Sequence, residues 1–321
     1  MEAAVMRPHP AAAVALAAVL AGTAPARAAD LPPKQADLLA KLQARAQGAD
    51  TRLDGVLGVY VEDLATGATV ALRADEVFPT ASSIKLAVLY ELFRQAEEGR
   101  IDLGEVTQPP ATRVRGGGVL QELGPRVSLT WRDLAVLMIG WSDNEATNVL
   151  VRRIGMDAVN RRLDALDLPR TRLRRLMMDL EAARRGDENV STPRELALLL
   201  EAFYRGNGLS PDRARDALAV LGAMAGNSAT PDSRSAFRRA LPEGVRAYTK
   251  PGELEGVRCE AGLVALEGRP YAAVVMTAYL RREKEGEAAI TEISAAAYET
   301  FDRLARSSEY GRTISERDAA K

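Results

Sequence analysis

Three short motifs combine nucleophilic and basic side chains, at residues 82–85 (SSIK), 141–144 (WSDN) and 250–252 (KPG). Ser82 and Lys85 are three residues apart in a segment with helical hydrophobic periodicity, so their side chains share one face of a helix. A lysine can take the proton of a neighbouring serine once burial or a second cation lowers its pKa from about 10.4. The pair therefore predicts nucleophilic catalysis by Ser82.

The second and third motifs offer groups for proton transfer and substrate binding. Ser142 has a hydroxyl that can relay a proton, and Asn144 has an amide that can orient a substrate. Lys250 lies at the end of a predicted strand, where the following glycine allows a ligand to approach the backbone. Each motif also has a structural interpretation, because serines and aspartates cap helices and lysines are usually solvated. Only the combination indicates a catalytic site.

The histidine content limits which side chains can activate the nucleophile. The chain has a single histidine, His9, and it lies within the predicted signal peptide. A Ser-His-Asp triad, a Cys-His pair and a histidine-rich zinc site are therefore excluded from the mature protein. The nucleophile must be served by Lys, Glu, Asp or Tyr, and neither a metal ion nor another cofactor is expected.

Residues 1–28 have the features of a secretory signal peptide. Arg7 precedes the apolar run 11–22, and the small-x-small cleavage pattern ends at Ala28. The apolar run is shorter than the roughly 20 residues that span a bilayer, so stable membrane insertion is not expected. We expect cleavage near Ala28 and a periplasmic or secreted protein; the alternative is an uncleaved anchor or a buried N-terminal helix.

Charge and cysteine content restrict the partners. The formal net charge is −1, so neither nucleic acid nor an anionic membrane surface is an expected partner. The only cysteine is Cys259, which excludes an internal disulfide and is expected to be a small buried side chain in a strand. We expect a monomer that acts on a small molecule.

The predicted elements place strands at both ends of the chain and helices between them. Strands are predicted at 56–62, 68–72, 245–250, 257–266 and 270–280, and helices at 33–47, 79–99, 130–138, 144–154, 156–166, 192–204 and 287–305. This order predicts an α+β fold with an antiparallel sheet built from the N- and C-terminal segments and flanked by helices, with an inserted all-helical lobe. The boundaries are 29–78 and 244–306 for the α/β lobe, 79–243 for the helical lobe, and 307–321 for a polar C-terminal tail.

The order and spacing of the three motifs resemble those of the penicillin-recognising serine enzymes, specifically the class A β-lactamase-like group. That family uses Ser-x-x-Lys, Ser-Asp-Asn and Lys-Thr-Gly, and the resemblance extends to residues 118–121 (GVLQ) and 143–148 (DNEATN). It implies an exported hydrolase that forms an acyl-enzyme and opens β-lactam amides. A D-Ala-D-Ala peptidase or esterase, a penicillin-binding protein with slow deacylation, and a non-catalytic sensor are the alternatives on this scaffold.

The resemblance also implies catalytic roles. Ser82 attacks the carbonyl, and Lys85 takes its proton directly or through water. Ser142 passes a proton to the leaving nitrogen. Lys250 supplies positive potential to the substrate carboxylate and to Lys85. These four residues are the candidate catalytic set.

The implied binding residues include one departure from the family. Asn144 would hold the substrate amide, Gly252 would line the binding strand, and the N–H groups of Ser82 and Glu253 would form the oxyanion hole. Pro251 replaces the threonine of Lys-Thr-Gly and removes both its hydroxyl and an N–H donor. Recognition of a substrate carboxylate is thereby put in question.

A second departure concerns the loop that in the family carries a deacylating glutamate in Glu-x-x-Leu-Asn. Alignment on 171–173 (TRL) places Met177 at this glutamate, and counting back from the next helix places Leu176 there. Asp179 and Glu181 are the best substitutes, with ion pairing to loop arginines as the alternative for both. If no carboxylate replaces the glutamate, acylation proceeds and deacylation is slow.

Overall fold

The computed structural model describes residues 31–223 and 235–314. The predicted signal peptide and its cleavage site lie outside the described residues. In the part of the chain that is described, no helix combines the length and apolar character needed to cross a membrane.

The elements follow the predicted order of strands, helices and strands. The helices are α1 (Pro33–Arg52), α2 (Lys85–Glu97), α3 (Trp131–Gly140), α4 (Asn144–Ile154), α5 (Met156–Ala165), α6 (Leu180–Arg184), α7 (Pro193–Arg205), α8 (Pro211–Leu221), α9 (Ala236–Arg239) and α10 (Glu283–Ala305). The strands are β1 (Val56–Asp63), β2 (Thr69–Leu72), β3 (Phe78–Pro79), β4 (Val106–Thr107), β5 (Leu129–Thr130), β6 (Val190–Ser191), β7 (Ala247–Leu254), β8 (Val257–Val264) and β9 (Tyr271–Ala278).

One five-stranded antiparallel sheet joins the two ends of the chain. Its strand order is β2-β1-β9-β8-β7, so the N-terminal hairpin pairs directly with the last strand. This confirms the predicted α+β fold with a sheet built from both termini. β9 is buried along its whole length, as expected for the central strand of a sheet covered on both faces.

Strand β7 corrects one prediction. The sequence places the end of this strand at Lys250, because Pro251 and Gly252 usually interrupt strands, but β7 continues to Leu254 and pairs with β8 throughout. The physical reason is its position at the edge of the sheet, where a proline without an N–H group is tolerated. Strand β7 therefore extends four residues past Lys250, to Leu254.

Two apolar cores lie on opposite faces of the sheet. The inner core contains α2, α3, α4 and α7 together with side chains such as Ala261 and Met276 of the sheet. The outer core contains α1, α9 and α10 together with Val59 and Val275 of the sheet. Helix α2 is buried on nearly every side, which makes it the central helix of the inner core. This burial determines the environment of Lys85 at its first turn.

Candidate active site

The candidate nucleophile Ser82 lies in a 3₁₀ turn, Ala81–Ile84, immediately before α2. Residues i and i+3 eclipse one another in such a turn, so Lys85 lies on the same side as Ser82. Ala81 has a positive φ of 48°, and its neighbour Ser82 lines the cleft. Within the described residues, the Ser82 hydroxyl makes no hydrogen bond to Lys85 or to another group. Ser82 thus combines access to the cleft with a free hydroxyl.

The amine of Lys85 is fully buried and directed at the second motif. Its Nζ donates to the Ser142 carbonyl oxygen at 2.6 Å, to Ser142 Oγ at 3.1 Å and to Asn144 Oδ1 at 3.0 Å. The three acceptors hold the amine at the cleft floor beside the nucleophile turn. These bonds join Ser142 and Asn144, which are distant in sequence, to the motif that contains Ser82.

Lys250 approaches the same hydroxyl from the sheet. Its Nζ donates to Ser142 Oγ at 3.1 Å and to the carbonyl oxygen of Pro251 at 2.9 Å. Ser142, which has a positive φ of 52°, accepts hydrogen bonds from both lysines. An oxygen that accepts from two amines has its own proton free for a third acceptor in the cleft.

Burial changes the proton affinity of both lysines. Desolvation lowers the pKa of Lys85 well below its usual value, the charge of Lys250 lowers it further, and Asp143 opposes the shift. Desolvation lowers the pKa of Lys250 to about 8, with Glu260 as the largest opposing charge. Lys85 is therefore suited to accept a proton, and Lys250 remains positively charged at neutral pH.

A tight turn holds the second motif in place. Asp143 caps α4 by accepting from the Ala146 N–H at 2.8 Å, and it also accepts from the Leu120 N–H at 2.7 Å. Gly118 has a φ of 94°, and a Cβ there would lie 2.2 Å from Asp143 Oδ2. Asn144 Nδ2 donates to the Gly116 carbonyl oxygen at 3.0 Å, so part of its amide is already engaged.

Strand β7 lies directly against the turn that contains Ser82. A Cβ on Gly252 would lie 2.3 Å from the Thr80 carbonyl oxygen and 2.6 Å from Cys259 Sγ. Ser83 Oγ donates to the Lys250 carbonyl oxygen at 2.9 Å, which joins the turn to β7. Gly252 therefore packs behind the cleft, whereas its neighbour Glu253 lines it. Cys259 is buried as predicted.

These elements enclose a cleft of about 320 Å³. The residues that line it are Ala81, Ser82, Gly116, Gly117, Ser142, Asn144, Arg175, Met177, Met178, Asn189, Pro251, Glu253 and Leu254. The lining includes four residues of the predicted site: Ser82, Ser142, Asn144 and Glu253. Lys85 and Lys250 lie just beneath it and are hydrogen-bonded to Ser142. Across residues 31–223 and 235–314, no group of three or more His, Cys, Asp or Glu side chains is arranged to hold a metal ion.

The loop between α5 and α7 presents Met177 to the cleft and no carboxylate. Asp179 caps α6 by accepting from the Ala182 N–H at 3.0 Å. Glu181 is exposed and pairs with Arg184. Neither acid lines the cleft, so neither is placed to replace the missing glutamate. The short helix α6 turns both carboxylates away from the site.

Sequence reasoning missed Arg175 and Asn189. The side chain of Arg175 is largely buried and pairs with Glu188 at 2.9 Å. Asn189 Oδ1 accepts from the N–H groups of Arg174 and Arg175 at 2.7 and 3.0 Å, which shapes the loop wall of the cleft. The segment has no hydrophobic periodicity, so its pattern contains no signal for these contacts.

Comparison with known proteins agrees with this geometry. A sequence model described as the beta-lactamase enzyme family matches residues 38–301. The chain belongs to this family. Among its relatives is a beta-lactamase of Streptomyces lavendulae, which is 32% identical over 275 residues and covers 83% of this chain and 86% of its own.

Solved structures of the beta-lactamase family share the fold. A beta-lactamase from Sphaerobacter thermophilus DSM 20745 aligns with a TM-score of 0.73 and 28% identity, covering 82% of this chain and 97% of its own. A mutant of PBP-A, solved as an acyl-enzyme complex with penicillin G, aligns with the same TM-score and identity and covers 83% and 98%. The chain therefore shares the fold of these solved structures over 82–83% of its length.

Proposed function

We propose that this chain hydrolyses β-lactam amides through an acyl-enzyme on Ser82. The observation that carries the proposal is the convergence of Lys85 and Lys250 on the Ser142 hydroxyl, in the cleft that Ser82 lines. The arrangement combines a nucleophile, a base of lowered pKa and a proton relay, which are the groups that acyl transfer requires.

The steps follow from the positions of these groups. Ser82 Oγ attacks the lactam carbonyl while Lys85 takes its proton, directly or through water; Lys85 does so in its neutral form, in which a lone pair replaces one of its three hydrogen-bond donors. The N–H groups of Ser82 and Glu253 bind the oxyanion, a contribution typically of about 10²–10³ in rate for each donor. Ser142 then gives its proton to the lactam nitrogen as the C–N bond breaks, and it receives in turn the proton that Lys85 took from Ser82, which leaves Lys85 neutral again.

Deacylation is the step that this site supports least. A water molecule must lose a proton to attack the ester, and the loop wall that faces Ser82 offers the thioether of Met177. This observation favours a second candidate function, a D-Ala-D-Ala peptidase or penicillin-binding protein in which the acyl-enzyme lasts long. Similarity to the PBP-A mutant with its penicillin G acyl-enzyme supports acylation in both candidates.

One experiment separates the two candidates. Intact-mass spectra are recorded at increasing times after penicillin is added, and turnover of a chromogenic cephalosporin is measured in parallel. Hydrolysis predicts catalytic turnover and an adduct that clears, whereas the second candidate predicts a stoichiometric adduct without turnover. Ser82→Ala must abolish both signals, and Ser128→Ala, an exposed serine away from the cleft, must leave them intact. No adduct and no turnover would refute both candidates.

We also propose that the protein is exported by cleavage of residues 1–28. The supporting features are Arg7, the apolar run 11–22 and the small residues that end at Ala28. N-terminal sequencing of the protein recovered outside the cytoplasm is expected to begin near Ala29. A mature protein that still contains the apolar run would contradict export by cleavage.

A further inference from the structure

Glu253 is the only acidic side chain among the described residues that line the cleft. Its side chain is exposed and takes part in no ion pair or hydrogen bond within the described part of the chain. An exposed glutamate is negatively charged at neutral pH. The proposed oxyanion donor is the N–H of the same residue, so this charge lies close to the scissile carbonyl of any bound substrate.

The pleat of β7 determines which face of the strand carries this charge. Lys250 and Gly252 face the nucleophile turn, so Pro251 and Glu253 project from the opposite face. Glu260 of β8 is the direct cross-strand partner of Pro251 and therefore lies on that same face. Pro251 contributes no hydrogen-bond donor there. Glu260 is 1% exposed and accepts hydrogen bonds from Ser235 Oγ and from the Phe237 N–H, so Glu253 is the one of these two carboxylates that is open to a ligand.

The nearby cations are already engaged. Lys250 is fully buried and bonded to Ser142 and Pro251. Arg258 lies opposite Glu253, but its guanidinium donates to the carbonyl oxygens of Leu254 and Val257 and to Glu287. Strands β7 and β8 form this face, and neither of them directs a guanidinium towards the cleft.

Arg175 is the only cationic side chain among the described residues that line the cleft. It lies on the opposite wall and pairs with Glu188 at 2.9 Å. The charge distribution of the cleft is therefore asymmetric, with the negative side at the strand that positions the scissile bond. A ligand carboxylate on that side would meet the charge of Glu253, whereas the positive charge of Lys250 is buried and its amine is already bonded to Ser142 and Pro251.

We propose that Glu253 makes the site select against a carboxylate next to the scissile amide, so that its preferred acyl donors carry an uncharged or cationic group there. In a penicillin, the carboxylate is attached to the carbon beside the lactam nitrogen, next to the carbonyl that Ser82 attacks. The inference rests on the proposed acylation of Ser82 and names the substrate class of that reaction. It assigns a role in substrate specificity to the side chain of Glu253, a residue that takes part in the proposed mechanism only through its backbone N–H.

The test compares benzylpenicillin with its methyl ester, in which an uncharged ester replaces the carboxylate. Second-order rate constants for modification of Ser82 are measured by intact mass at pH 7, below the pKa of about 8 of Lys250. The proteins are the wild type, Glu253→Gln, and the control Glu255→Gln, which replaces an exposed glutamate that does not line the cleft.

Glu253→Gln is expected to raise the ratio of the acid's rate constant to the ester's by about fivefold, the effect of two like charges about 4 Å apart in water. Glu255→Gln is expected to leave the ratio unchanged. Added salt should raise the ratio in the wild type and not in Glu253→Gln, because salt screens exposed charges.

Adducts that form with an unchanged or lower ratio in Glu253→Gln would overturn the selectivity and leave the proposed function intact. If neither compound modifies Ser82 in any of the three proteins, the proposed function fails and the selectivity fails with it.

Discussion

The side-chain amide of Asn148 holds the main chain of Met177 with two hydrogen bonds. Asn148 Nδ2 donates to the Met177 carbonyl oxygen at 3.0 Å, and the Met177 N–H donates to Asn148 Oδ1 at 2.8 Å. Asn148 is itself buried in α4, about one turn after the last residue of the Ser142 motif. The position that faces the cleft is therefore held by the backbone, and its side chain can be exchanged without losing the anchor.

Met177→Glu is expected to shorten the lifetime of the acyl-enzyme. A carboxylate at this position would face the cleft and could take a proton from the attacking water, a contribution typically of 10²–10⁴ in rate, so we expect a gain of about 10² or more. The measurement is the decay of the penicillin adduct by intact mass. Met177→Gln, of similar size and without a base, must leave the lifetime close to that of the wild type. Equal acceleration by glutamine would show that loop packing, and not a base, limits deacylation.

The pH dependence of acylation should reflect the two buried lysines. Deprotonation of Lys85, whose pKa is lowered by burial and by Lys250, increases the rate as pH rises. Loss of the proton from Lys250, whose pKa is about 8, decreases the rate above that pH. We therefore expect a bell-shaped profile with its falling limb near pH 8.

Lys250→Arg is the matched variant for this profile. A guanidinium stays protonated beyond about pH 12, so the falling limb should move to higher pH even if the maximal rate drops. The check is the acylation rate measured across pH in both proteins. A falling limb that stays in place would assign it to a different group.

Gly252→Ala should separate strand β7 from the turn that contains Ser82. Its Cβ would lie 2.3 Å from the Thr80 carbonyl oxygen, so β7 must shift and carry Lys250 and Glu253 with it. We expect a loss of about 10² in acylation rate from misplacement and roughly 1–3 kcal/mol in the free energy of unfolding. The control is Gly124→Ala, whose Cβ would meet no atom within 4 Å. Acylation at the wild-type rate in Gly252→Ala would contradict this packing role.

Glu62 provides a prediction about stability and pH. The residue is 8% exposed, its Oε2 has no hydrogen-bond partner in the described structure, and burial raises its pKa to about 7, with Glu201 adding to the shift. Because the unfolded value is about 4.3, the folded state loses stability as pH rises from about 4.3 to about 7.

Glu62→Gln removes the charge and should raise the free energy of unfolding at pH 8 by roughly 1–3 kcal/mol, with little gain at pH 4. Thermal or urea unfolding at both pH values measures the difference. Glu243→Gln, an exposed glutamate, is the control and should show no such pH dependence. A gain of equal size at both pH values would show that repacking and not ionisation is responsible.

Much of this molecule could be read from local patterns in the chain. Hydrophobic periodicity and capping residues predict most helices, and the Thr130 and Asp133 capping box that begins α3 is present as expected. The run of apolar residues in β9 predicts a central strand. Motif spacing also determines that Ser82 and Lys85 share one side of a helical turn, because that relationship needs only the geometry of a few consecutive residues.

The tertiary structure alone decided which of the distant groups meet. The contact of Lys85 and Lys250 with one hydroxyl depends on packing between α2, the turn before α4 and the edge strand β7, and no local pattern encodes it. The same holds for the orientation of Asp179 and Glu181, which α6 turns away from the cleft, and for the extension of β7 beyond Pro251. Local sequence therefore determined the candidate reactive groups, whereas long-range packing decided their environment and which carboxylate, that of Glu253, lines the cleft.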